Sequence, residues 1–146
     1  PDVAIVHVQR ADASGNAHIW GIIGEQKEAA FAARHVILTA EEIVPEEVIR
    51  SDPNRTLIPE FVVDAVCCVP HCAHPSYTQG YYDRDNEFYL RWDEISETDE
   101  AAQAYLQEWV YGVPDREAYW RKLGPEAHAR LAVLPRPSLP VDYGQY

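Results

Sequence analysis

The sequence predicts an α/β fold that gives way to a helical region. Residues 3–9 (VAIVHVQ), 36–39 (VILT) and 64–69 (DAVCCV) are apolar runs rich in β-branched residues and read as buried strands. A strong helical pattern at 25–34 (EQKEAAFAAR) separates the first two, and strand–helix–strand order favours parallel neighbours. From residue 86 onward, capped helical periods replace the β-branched runs.

Composition narrows the class further. The 146 residues suit one domain, expected over 1–134, with a sheet part at 1–70, a loop at 71–85 and helices at 86–134. Twelve basic against 24 acidic residues give a net charge of −12, which excludes bulk electrostatic binding to nucleic acid or an anionic membrane. The longest apolar stretch, 65–70, is strand-sized and far short of the ~18 residues of a membrane span. The three cysteines cluster as Cys67, Cys68 and Cys72, which is no disulfide framework and points to a reducing cytoplasm. An apolar strand begins almost at residue 1, as expected of a chain that opens at an internal domain boundary.

The elements follow in order. Residues 12–16 (DASGN) carry turn chemistry, and 17–22 (AHIWGI) read as the returning strand of a hairpin. The helix at 25–34 has acids in its first turn and Arg34 in its last. Pro45 sits where a short helix begins, and residues 52–56 (DPNRT) form a turn. Residues 71–85 (HCAHPSYTQGYYDRD) show neither helical nor strand period, and loops of that length are usually functional or disordered; the Gly beside two tyrosines argues against disorder. Beyond it, 86–95, 98–111, 115–123 and 125–134 read as helices, with Asn86, Thr98 and Asp115 as N-caps and Gly112 and Gly124 as C-terminal caps. Residues 135–146 hold three prolines and read as an extended tail.

Several clusters invite a chemical reading. Cys67, Cys68, His71, Cys72 and His74 offer zinc-type donors, but adjacent residues of a strand point to opposite faces, so buried strand cysteines are the default. Cys72, beside His71 and His74, is a nucleophile candidate, although proximity in sequence builds no triad. Glu41, Glu42, Glu46 and Glu47 resemble an acid/base set, but their expected place is a solvated helix start. No Gly-rich phosphate loop occurs. The segment 74–82 (HPSYTQGYY) follows a strand's carboxyl end, where open α/β sheets place ligands. Its polar groups and rings surround a Gly that permits close backbone approach.

Ordered short motifs then carry a resemblance. They are 2–12 (DVAIVHVQRAD) with 15–17 (GNA), 41–44 (EEIV), 53–56 (PNRT) with 58–59 (IP), 63–66 (VDAV), 73–76 (AHPS), 79–85 (QGYYDRD) and 108–112 (EWVYG). Together they resemble the A subunits of family I CoA-transferases, of the glutaconate CoA-transferase type. The sequence departs at 70–73 (PHCA), where the family tends to have an aromatic residue and then Gly; Cys72 lacks glycine's conformational freedom.

The resemblance implies a mixed, mainly parallel sheet and a subunit of a heteromer that moves CoA between an acyl-CoA and a small carboxylic or dicarboxylic acid. It implies a partner B subunit whose glutamate is the nucleophile, coenzyme A as substrate and no further cofactor. The chain looks like the carboxyl-terminal half of an A subunit, inactive without the other half and the B subunit. Relatives on the same scaffold act as lyases, hydrolases or decarboxylases of CoA esters, and a non-catalytic interaction fragment is the reading from another class. Polarity and placement make His74, Ser76, Gln79 and Tyr81 the substrate-positioning candidates, with no catalytic nucleophile and no metal ligand expected in this chain.

Overall fold

The computed structural model describes residues 1–133. Leu134 and the tail expected over 135–146 lie outside them. The chain divides into two compact units, Pro1–Ala73 and a second that begins at His74, a division falling three residues into the expected loop.

The first unit is built on five strands: β1 (Val3–Ala11), β2 (Ala17–His18), β3 (His35–Ile43), β4 (Thr56–Ile58) and β5 (Ala65–Cys68). Their spatial order is β4-β2-β1-β3-β5. β1 and β3 are parallel and in register from Val3↔His35 to Ala11↔Ile43, and β3 and β5 are parallel through Ile37↔Ala65 to Ala40↔Cys68. The two-residue β2 is antiparallel to both β1 and β4. The sheet is therefore mixed, and its long pairings are the parallel ones.

Alternation assigns the core. Ala4, Val6 and Val8 of β1 share one face with Val36, Leu38 and Ala40 of β3, all buried, and Ile58 closes that face from β4. Burial of each Val, Leu or Ile side chain contributes about 1.5–3 kcal/mol. Helix α1 (Gln26–Ala32) docks on the same face through Ala30. Between β1 and β2 the carboxylate of Asp12 accepts from the amides of Ser14, Gly15 and Asn16 at 2.9–3.0 Å, which fixes the expected turn. Gly15 adopts φ +106°, and a Cβ there would stand 2.9 Å from Val63 Cβ.

Three expectations change in this unit. The returning strand covers only residues 17–18 of the expected 17–22. β3 runs to residue 43 because β1 continues opposite it, pairing Arg10 with Glu42, so the short helix α2 (Glu46–Arg50) starts only after Pro45. Glu41 and Glu42 therefore lie in a strand, and Glu41 is buried rather than solvated at a helix start. Cys67 and Cys68 are exposed rather than buried, because β5 is an edge strand.

The second unit is helical: α3 (Asn86–Leu90), α4 (Trp92–Ile95), α5 (Asp99–Leu106) with a π-turn at Gln107–Tyr111, and α6 (Arg116–Leu131). Thr98 and Asp115 cap as expected, accepting from the amides of Ala101 and Ala118. The first cap is Asp85 instead of Asn86, with its carboxylate accepting from Phe88 N–H at 3.1 Å. Gly112 ends the π-turn at φ −83°, without the left-handed cap expected of it. Gly124, at φ +83°, interrupts α6 where two helices were expected to meet.

Candidate functional site

The loop that opens the second unit is pinned at both ends. The backbone amide of Asp85 donates to Pro75 C=O at 3.0 Å, closing residues 75–85 into a ring. Thr78 and Tyr82 pair across a tight turn at 3.2 Å, and Gly80 takes φ +91° at its tip. Tyr82 is buried against Trp120, and the next amide, Asp83 N–H, donates to Leu131 C=O at 2.8 Å.

His74 is the buried anchor of this loop. Its Nε2 lies 3.2 Å from Asp85 Oδ2 and its Nδ1 2.9 Å from Tyr119 Oη. An ionised carboxylate only accepts, so Nε2 carries the proton and Tyr119 donates to Nδ1. Burial lowers the pKa of His74 against the raising effect of Asp85, so the ring is held neutral. Burial alone would raise Asp85, but the bonds from Phe88 N–H and His74, together with Arg130, outweigh it and hold the carboxyl below the usual range. Burial pushes the Tyr119 phenol up to about 12. Arg116 donates to His74 C=O at 3.0 Å and stacks over the Tyr119 ring. Arg130 reaches Asp85 and Glu87 at 3.4 and 3.2 Å.

Of the four candidates named from sequence, His74 alone lines the neighbouring cavity of about 490 Å³, with Asp85, Tyr105, Trp109, Tyr119 and Arg130. Ser76 and Tyr81 are half-buried in the loop, and Gln79 is exposed at its tip. The sequence reading missed Asp85, Tyr119, Arg116 and Arg130 as His74's partners. Only the Asp85 cap position carried a local signal.

A second polar cluster, in the first unit, sits toward the carboxyl ends of β1 and β3. The buried Glu41 carboxylate accepts from His7 Nε2–H at 2.7 Å and from His71 N–H at 2.8 Å, and Thr39 Oγ1 lies 2.9 Å from His7 Nδ1. His71 takes φ +61°, an uncommon conformation for a non-Gly residue. The left-handed position in the 70–73 turn thus falls at His71, one residue before the Cys72 where glycine's freedom was expected to matter. Among the described residues, no group of three or more His, Cys, Asp or Glu side chains is arranged to hold a metal ion, and no helix is long and apolar enough to cross a membrane.

A mixed sheet with parallel long pairings and a crossover helix, followed by a helical unit that opens on a pinned loop, defines an α/β protein of the class the sequence motifs suggest. Residues 1–68 match the family model described as Coenzyme A transferase. The chain is 44% identical over 123 residues to the A subunit of 3-oxoadipate CoA-transferase from Pseudomonas knackmussii, covering 84% of this chain and 43% of that one. It is 42% identical over 134 residues to the A subunit of glutaconate CoA-transferase from Acidaminococcus fermentans, covering 92% and 42%. The crystal structure of that glutaconate enzyme superposes with a TM-score of 0.86, again over 92% and 42%. The decarboxylase AibA/AibB superposes at 0.54 with 32% identity, over 70% of this chain and 37% of that one. Over most of its length the chain is similar to A subunits of CoA-transferases, and its residues 1–68 match that family's model. It spans less than half the length of the curated relatives it matches.

Proposed function

We propose that this chain forms the A-side wall of a substrate site in a heteromeric CoA-transferase acting on a small dicarboxylic acid. Its relatives named for glutaconate and 3-oxoadipate support that substrate class. The observation that carries the reading is the pinned loop: His74 and Asp85 fix its base while Gln79 and Gly80 stay exposed at its tip. A rigid base with a polar tip suits a wall that orients an acyl group and excludes water. On this reading Ser76, Gln79 and Tyr81 present polar atoms to the substrate, and His74 sets the loop that carries them. The nucleophile is a glutamate of the B subunit. It attacks the thioester carbonyl and expels the CoA thiolate, leaving an acyl-glutamyl anhydride; the thiolate then attacks the glutamyl carbonyl, releasing the first acid and forming an enzyme CoA thioester, and the second acid takes up the CoA by the same steps in reverse. Free Cys67, Cys68 and Cys72 suit a reducing cytoplasm. The decarboxylase reading rests on the lower similarity.

The test is CoA exchange between acetyl-CoA and glutaconate or 3-oxoadipate. The chain alone should show none. In the full A/B enzyme, Tyr81→Phe and Gln79→Ala should each lower kcat/KM about two- to tenfold at unchanged stability, the value of one lost hydrogen bond. Turnover by the chain alone, or neutrality of both variants, overturns the assignment.

A further inference from the structure

Residues 74–85 hold one arginine, Arg84, and no lysine, and their histidine, His74, is held neutral. Arg84 is exposed, and the amides before and after it are fixed: Asp83 N–H on Leu131 C=O at 2.8 Å and Asp85 N–H on Pro75 C=O at 3.0 Å. The second of these bonds closes the loop, so Arg84 and Ser76 flank the closure from its two sides. The Arg84 guanidinium lies over the Tyr89 ring, 4.1 Å from its centroid. That contact holds the guanidinium by its face and leaves its N–H edge open. Among the described residues no carboxylate pairs with Arg84, and the neighbouring Asp85 is already engaged by His74 and Arg130. Acidic side chains outnumber basic ones 24 to 12 in this chain, so a guanidinium without an acid partner stands out.

We propose that Arg84 binds the remote carboxylate of the acid substrate and so makes the site selective for dicarboxylic over monocarboxylic acids. The inference deepens the proposed catalytic wall and rests on it. One carboxylate of the acid enters the anhydride and the thioester, while the other stays ionised throughout. Taking that second charge out of water without a partner is costly. Ser76, Gln79 and Tyr81 offer it only neutral groups. A planar guanidinium fork meets a carboxylate with two parallel, charge-assisted hydrogen bonds. Because Arg84 stands beside Ser76 at the closing bond, one short stretch of loop offers a charged group for one end of the acid and a neutral one for the other. The fixed amides on both sides present the fork from backbone that is already ordered, which lowers the entropy lost on binding.

The test compares two acids as CoA acceptors from acetyl-CoA in the full A/B enzyme. One is glutaconate, and the other is 2-pentenoate, in which a methyl group replaces the remote carboxylate. The wild type should prefer glutaconate. Arg84→Gln should lower kcat/KM for glutaconate about tenfold or more and change that for 2-pentenoate less than about twofold. Arg84→Lys keeps the charge without the fork and should recover part of the loss. Both variants should keep the wild-type thermal midpoint, because the side chain is exposed. Equal loss with both acids, no loss with glutaconate, or a wild type without preference for glutaconate overturns the proposal. The wall is read separately. Failure of the clamp alone leaves the losses of Tyr81→Phe and Gln79→Ala in place, whereas failure of the wall removes those losses as well.

Discussion

Replacing Tyr119 by Phe removes one atom from the His74 network and leaves its packing in place. The ring keeps its edge contact with Trp109, 5.7 Å between centroids, and the overlying Arg116. The hydroxyl donor to His74 Nδ1 is lost, together with its contact to Arg116, at a buried position. A buried acceptor left unpaired costs about 1–3 kcal/mol. With a urea slope of about 2 kcal/mol/M, the unfolding midpoint of the second unit should fall by about 0.5–1.5 M. Trp109 and Trp120 fluorescence report that transition. The hydroxyl also bonds the neutral imidazole, so its loss should shift His74 protonation to higher pH, visible in the ring-nitrogen resonances. A midpoint within about 0.2 M of wild type, with an unmoved His74 titration, would refute the assignment of Nδ1 as acceptor.

Acid should weaken the second unit in two stages. His74 has a folded pKa below its ordinary 6.5, so between those values the unfolded chain holds more protons; stability is complete above 6.5 and declines as pH falls beneath it. Asp85, also depressed, withdraws its contribution below 3.8. Urea midpoints that stay flat from about pH 7.5 to 5, or that fall equally in His74→Gln, would contradict this. Glu41→Gln removes the charge that holds His7 and the His71 amide and should cost about 1–3 kcal/mol. Faster hydrogen exchange at His71 N–H is the direct readout, and unchanged protection there refutes the role. Gly15→Ala must place a Cβ 2.9 Å from Val63 at φ +106° and should destabilise by about 1–3 kcal/mol; an unshifted thermal midpoint would show that the turn yields freely.

The strands at 3–9 and 64–69 and the caps at Thr98 and Asp115 were legible because their signals are local: alternation, β-branching, a hydroxyl or carboxylate before a helical period. The continuation of β3 through Glu41 and Glu42 was not. Two adjacent acids read as solvated until His7 and His71, 34 and 30 residues away in sequence, supply donors that make burial of one of them tolerable. The exposure of Cys67 escaped for a related reason, since a strand pattern says which residues share a face but not whether another layer covers that face. His74 looked like a substrate-facing group because it is polar in a loop. Its partner Tyr119 lies 45 residues away, and no short pattern encodes that bond. The conformation of the 70–73 turn was displaced by one residue for the same reason, because Glu41 holds the His71 amide.

Asp85 has a consequence for how the second unit opens. One residue caps α3 through Phe88, accepts from His74, meets Arg130 and donates its amide to Pro75. Three of these connections hold the buried carboxylate, so none of the three is broken without leaving part of that charge unpaired, and the fourth ties the same residue to the loop base. The loop base and the first turn of α3 should therefore behave as one cooperative unit, whose amides exchange with solvent through a single sub-global opening. Fast fluctuation is then confined to the few residues around Gly80, outside that unit. A ligand arriving at the tip would meet a small mobile edge on a base that does not breathe on the same timescale.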